Sequence, residues 1–228
     1  MTNHLKRIAA PKSWLLNRGL RAFTIKPNPG AHALEKGMAL GMVLRDKLHY
    51  ATTMNEVKKL LQAKEVLIDG VRRKDHRFNV GLLDVISVPE LKKHFRMVLD
   101  NKSRLTLKEI PISESTVKLC KIVGKTALPG GKIQYNLYDG KNIITTKKAN
   151  TGDSLLLTLP SLEVEEIFPL QVGASVYLVK GKRGGDIGVL KELKGIEATY
   201  TAEGKDVETL KGYLFVVGDG KGPSITLK

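Results

Sequence analysis

Two Asp-Gly dipeptides, Asp69-Gly70 and Asp139-Gly140, each sit between short apolar runs. Both central residues of a type I′ turn need positive φ, and Asp69-Gly70 suits them; Asp139-Gly140 centres a second hairpin signal. Around the first, "EVLIDGVRRKD" predicts a strand at residues 66–68 and a return strand carrying Arg72, Arg73 and Lys74. Around the second, "IQYNLYDGKNIIT" predicts the same arrangement. "FRMVLDNKSRLTLKEI" has apolar runs on both sides of residues 100–102, a further hairpin signal. "LLDVISV", "TGDSLLLTLP" and "LEVEEIFPL" read as additional strands. Most of such a chain is expected to be β.

Helical signals are confined to one stretch. "MALGMVLRDKLHYA" places Met38, Met42, Val43 and Leu48 near helical spacing, with Arg45 and Lys47 among them. "TMNEVKKLLQ" follows, with Thr53 three residues before Glu56, the spacing of a capping box. Val57, Leu60 and Leu61 supply an apolar face, and Lys58 and Lys59 point elsewhere.

Charge narrows the partners. The chain has 228 residues and a net charge of +15, which attracts polyanions and opposes self-association. Nucleic acid is the leading partner, ahead of an anionic membrane, and no homo-oligomer is expected. At this length two or three small domains are expected. Only 5% of residues are aromatic, so the cores should be small and aliphatic.

The first segment, residues 1–37, concentrates Lys6, Arg7, Lys12, Arg18, Arg21 and Lys26 ahead of the first acid, Glu35. Pro11, Pro27 and Pro29 interrupt any long helix. This reads as a basic arm that orders on a partner. Trp14, the single tryptophan, could stack on a base or wedge into a groove there. Leu15 and Leu16 could instead anchor it to the body.

Near the other end, "VKGKRGGDIGVLKEL" sets Gly181, Gly185 and Gly188 among Lys180, Lys182, Arg183 and Lys191. Val176 and Leu178 lead in on one strand face, and Val189 and Leu190 restart the next strand. The three glycines are expected to permit a tight, partly left-handed turn, which brings the cations toward a phosphate backbone.

Signs of catalysis are weak. Cys120, the only cysteine, lies in the alternating "VKLCKIV" and reads as a buried strand residue, not a nucleophile. One cysteine and five scattered histidines do not suggest a zinc site. Glu163, Glu165 and Glu166 read as an acidic strand edge or turn, and "LPGGK" as a turn without the P-loop pattern. No enzyme, metal or cofactor is expected. No apolar run approaches 18 residues, and no signal-peptide pattern opens the chain. A soluble, cytoplasmic protein is the expectation.

Two stretches resemble known modules. Residues 55–88, "NEVKKLLQAKEVLIDGVRRKDHRFNVGLLDVISV", resemble the S4-type RNA-binding domain, with a helix, a strand, an Asp-Gly turn and a basic return strand. That family's late Gly and Asp match Gly81 and Asp84, slightly more widely spaced than usual. The glycine and cation pattern from Gly181 to Gly188 resembles the KOW motif of SH3-like barrels.

The order of these parts resembles the S4e family, small-subunit ribosomal proteins of archaea and eukaryotes. "HLKRIAAPKSW" resembles its N-terminal signature, and "FRMVLDNKSRLTLKEI" and "YLFVVGDGKGPSITL" its middle and end. The stop at Lys228 fits an archaeal member, while "LPGGKIQYNLYDGKNI" is compact, which leaves contacts there open. The resemblance implies a multidomain α+β chain. Its parts are a basic extension at residues 1–37, an S4-type αα-hairpin/β domain at 38–90, a β-rich central domain at 91–170 and a KOW SH3-like barrel at 171–228. It also implies a structural role in the small subunit, with ribosomal RNA and neighbouring ribosomal proteins as partners. A KOW-containing transcription or translation factor and an RNA-modifying enzyme anchored by an S4-type domain are the alternatives.

Overall fold

The computed structural model describes residues 4–220 and 222–227. The chain divides into two compact units: Met1–Val98 with Arg104–Ser115, and Leu99–Ser103 with Thr116–Lys228.

In the first unit, β1 (Leu5–Lys6) pairs antiparallel with β2 (Phe23–Thr24). The segment between them has one 3-10 turn, Arg7–Ala9, and is held largely by two guanidinium groups. Arg7 donates to the carbonyl oxygens of Asn17 and Phe23, at 2.5 and 3.3 Å. Arg18 donates to those of Arg7, Ile8, Ala10 and Pro11. Five N–H donors in a rigid fork can satisfy several carbonyls of an irregular loop at once. Trp14 is only 2% exposed, and its Nε1–H donates to the Gly37 carbonyl oxygen at 2.7 Å. The segment expected to be an arm is therefore part of this unit's core. Trp14, Arg7 and Arg18 are structural here, and the base-stacking reading of Trp14 is overturned by its burial.

Next come β3 (Gly37–Ala39), α1 (Leu40–Met42) and five π-helical residues, Val43–Lys47. The expected helix thus begins at Leu40 and ends in a π-helical stretch, while Met38 lies in the preceding strand. The helix's first N–H groups are satisfied by neighbouring backbone: Leu40 donates to Phe78 O and Gly41 to His76 O, both at 2.8 Å. α2 (Met54–Ala63) forms as the capping box predicts. Glu56 N–H donates to Thr53 Oγ1, and Thr52 and Thr53 N–H donate to Glu56 Oε2. These bonds, those from Thr52 foremost, hold the Glu56 carboxyl down to about 2. Val57 and Leu61 are buried, while Lys58 and Lys59 are exposed.

The remaining strands are β4 (Leu67–Ile68), β5 (Val71–Arg72), β6 (Asn79–Gly81), β7 (Val85–Val88), β8 (Lys93–Leu99) and β9 (Leu105–Ile110). β3 pairs with β6, and the others form a sheet in the order β5-β4-β7-β8-β9. Asp69 and Gly70 have φ of 51° and 75°, as a type I′ turn requires. The return strand is short, so Arg73 and Lys74 follow it. The expected hairpin at residues 100–102 joins β8 to β9. Both strands extend the first unit's sheet, which therefore does not end at residue 90. Asp84 is buried, accepts the Gly81 N–H, and pairs with His32 Nε2 at 2.9 Å. A Cβ on Gly81 would stand 2.2 Å from the His32 ring, which explains the glycine.

The second unit holds two five-stranded sheets. The first comprises β10 (Val117–Ala127), β11 (Ile133–Leu137), β12 (Asn142–Thr145), β13 (Ser154–Thr158) and β14 (Val164–Phe168), in the order β12-β11-β10-β13-β14. Eleven residues let β10 serve two partners in succession, with an irregularity between Ile122 and Gly124. Cys120 is buried as expected, in a cluster with Ile122, Tyr135, Leu137, Leu155 and Leu157. A buried ion pair, Lys118 Nζ to Asp139 Oδ2 at 3.0 Å, lies beside it.

The second sheet comprises β15 (Ser175–Leu178), β16 (Ile187–Lys194), β17 (Glu197–Ala202), β18 (Lys205–Leu210) and β19 (Leu214–Gly218), ordered β18-β17-β16-β15-β19. All its pairings are antiparallel. The scarce aromatics are concentrated inside: Tyr135, Tyr177, Tyr200 and Phe215 are fully buried. The cores are otherwise mostly aliphatic, as the composition leads one to expect. Among the described residues, no helix is long and apolar enough to cross a membrane.

Candidate nucleic-acid interface

Exposed cations fall on hairpins and helix faces because the cores admit few of them. In the first unit, Lys58 and Lys59 are exposed on α2, and Arg72 and Lys74 on and after β5. Arg72 donates through Nη2 to Gln62 O at 3.2 Å, tying the hairpin to the end of the helix. Arg73 is half-buried, with its guanidinium 4.5 Å from the centre of the Phe78 ring. Lys6 and Lys12 are exposed, while Arg45 and Lys47 are half-buried. Arg45 makes a two-pronged pair with Asp46, Nε to Oδ1 at 2.6 Å and Nη2 to Oδ2 at 2.9 Å. The hydrogen bonding of Arg45 to the Asp46 carboxylate pushes the guanidinium above its usual value.

In the second unit, the β15–β16 connection presents Lys180, Lys182 and Arg183 to solvent. Lys180 Nζ lies 6.0 Å from the Tyr213 ring centre. Gly181 and Gly185 have φ of 99° and 97°, which a side chain resists. Their neighbourhood shows why the loop is glycine-rich. A Cβ on Gly185 would come within 2.6 Å of the Asp100 carbonyl oxygen, and one on Gly184 within 2.2 Å of Ser103 Oγ. Ser103 Oγ–H donates to Gly181 O at 3.2 Å. The glycines thus admit the chain's own turn at Leu99–Ser103, and this close approach differs from the expected approach to a phosphate.

Gly188 is not a turn residue. It lies inside β16, opposite Val176. A Cβ there would meet Thr201 O at 2.5 Å and Tyr200 Cδ2 at 2.7 Å. Sequence reasoning missed Lys102, which is exposed on the Leu99–Ser103 turn. No local signal could have found it, since the two turns are 78 residues apart.

These features define a class: a strongly basic, mostly β protein with few helices, bearing its cations on turns and one helix. A model of the family described as "Ribosomal family S4e" matches residues 91–164, and one described as "RS4NT (NUC023) domain" matches residues 1–35. The small ribosomal subunit protein eS4 of Methanocella arvoryzae is 42% identical over 95% of this chain and 94% of that protein. Its counterpart in Methanosphaera stadtmanae is 43% identical over 98% and 95%. A crystal structure of 30S ribosomal protein S4e from Thermoplasma acidophilum is 26% identical, with a TM-score of 0.71, and covers 82% of this chain and 98% of that one. The chain belongs to the ribosomal S4e family.

Proposed function

We propose that this chain is a structural constituent of the small ribosomal subunit of an archaeon, located in the cytoplasm and held in place by ribosomal RNA and neighbouring ribosomal proteins. The observation that carries this reading is 42% identity to a small-subunit protein along nearly the whole of both chains. The net charge of +15 supports RNA as the partner. Lys6, Lys12, Lys58, Lys59, Arg72 and Lys74 are the exposed phosphate-contacting cations of the first unit, with Lys47 and Arg73 adding field. Lys180, Lys182 and Arg183 play this part in the second, now joined by Lys102. The capped α2 and the Asp69-Gly70 hairpin support an S4-type module within residues 38–90, and the sheet from β15 to β19 supports a KOW SH3-like module within 171–228.

Equilibrium binding of the purified chain to small-subunit ribosomal RNA over a salt series tests the RNA reading. Log affinity should fall linearly with log salt, by roughly 0.7 to 0.9 per phosphate neutralised. Absent or salt-independent binding would contradict it.

A further inference from the structure

The first unit contains a cleft of about 440 Å³ that the basic turns and hairpins leave unexplained. Its size lies within the range of ligand pockets, ~300 to 1,000 Å³. One wall is apolar, made by Leu15, Leu16, Leu20 and Ala51. Leu15 and Leu20 are 49% and 67% exposed. Single exposed leucines are ordinary, but these line one concavity together.

The rest of the lining is polar, with Asn17 and Thr52 beside the guanidinium groups of Arg7, Arg21 and Arg45. Three guanidinium groups thus face a single carboxylate, that of Asp46, and the His49 ring supplies a further hydrogen-bonding edge. Both Asp46 oxygens are already bonded to Arg45. That pairing fixes the plane of the Arg45 guanidinium, and such planes serve as stacking platforms for bases. His49 has a φ of 54°, a backbone conformation that costs energy outside glycine and gathers at ligand sites. Apolar walls suit a flat base, and a positive rim suits a phosphate. An acidic or purely apolar protein segment would fit only one of the two.

We propose that this cleft takes a single unstacked nucleotide of the bound RNA, its base against the leucines and its phosphate toward Arg21 and His49. The inference rests on the RNA-binding reading above, and adds to it a specific contact with an unpaired nucleotide.

The test uses the full chain and two RNA hairpins, one fully paired and one carrying a single bulged 2-aminopurine. The chain should bind the bulged hairpin on the order of tenfold more tightly, the size of one base–side-chain stack. The probe's fluorescence should change on binding. Leu20→Glu alters an exposed side chain, so its melting temperature should stay unchanged. It should abolish the preference for the bulge and leave affinity for the paired hairpin intact. Arg21→Gln should reduce the preference independently. Equal binding of the two hairpins by the parent would overturn the nucleotide site, leave general RNA binding standing, and make the cleft a seat for protein. So would a preference that survives both substitutions. Failure to bind either hairpin at any salt would count against both readings.

Discussion

The Tyr177 hydroxyl accepts the Leu99 N–H at 2.8 Å and donates to the Leu99 carbonyl oxygen at 3.2 Å. One phenol thus satisfies both backbone groups of a single residue. Burial pushes that phenol up to about 12, and the Leu99 backbone bond partly offsets it. The fold therefore favours the neutral form. Its contribution is fully present below the unfolded value of about 10, and it is lost as pH rises from there toward 12. Urea unfolding of the parent and Tyr177→Phe measures this. The variant should lose about 1 to 3 kcal/mol at pH 7, where Leu99 is left unpaired. The gap should narrow by about 1 kcal/mol at pH 11. Parallel pH curves would show that Tyr177 contributes nothing through its proton.

Trp14 gives the second prediction. Trp14→Ala removes a buried ring and should destabilise the first unit by about 3 to 5 kcal/mol. Trp14→Phe keeps most of the ring but leaves Gly37 O without its donor, and should cost less. Deleting residues 1–30 should abolish cooperative melting of the first unit. A truncated chain that melts like the parent would return this segment to the status of an arm.

The Asp69-Gly70 hairpin gives the third. Arg72→Gln with Lys74→Gln should lower the slope of log affinity against log salt by roughly 0.7 to 0.9 for each phosphate contact removed. Arg73→Gln should act more on stability, because Arg73 packs on Phe78. An unchanged slope in the double variant would mean that those cations face only solvent.

Charge and glycine geometry in the β15–β16 loop should separate on mutation. Lys182→Gln with Arg183→Gln should leave the melting temperature unchanged, since exposed charges contribute little, and should weaken RNA binding most at low salt. Gly185→Ala should do the reverse. Its Cβ would meet backbone at Asp100, and its φ is positive, a strain of about 1 to 3 kcal/mol. Calorimetric melting and RNA titration of both variants check this. A Gly185→Ala chain as stable as the parent would refute the role assigned to the Leu99–Ser103 turn.

Features set by a few neighbouring residues were legible in the sequence. Thr53 and Glu56 specify their cap through a spacing of three, and Asp69-Gly70 specifies its turn through local backbone preference. The hairpin around Asp139-Gly140 followed from its dipeptide, although only Gly140 has positive φ there and the turn is wider than that of Asp69-Gly70. The burial of Cys120 followed from alternation. What escaped depends on distant partners. Trp14 is held by a carbonyl group 23 residues away at the start of β3, and Arg18 by several carbonyl groups between Arg7 and Pro11, which leaves no pattern. The switch from α- to π-helical bonding at Val43–Lys47 leaves no mark in the apolar pattern. Gly188 resembles a turn glycine in sequence, but the constraint on it comes from Tyr200 and Thr201 across the sheet. The cations of the interface were visible individually, while the joining of Lys102 to the loop at Gly181 required the fold.

A resident part of the small ribosomal subunit should stay bound to it through purification. Sucrose-gradient fractionation of an archaeal lysate containing the tagged chain tests it most directly. The chain should sediment with the small subunit and stay there after a wash at moderate salt. Recovery only in the unbound fractions after that wash, with intact small subunits elsewhere in the gradient, would contradict it.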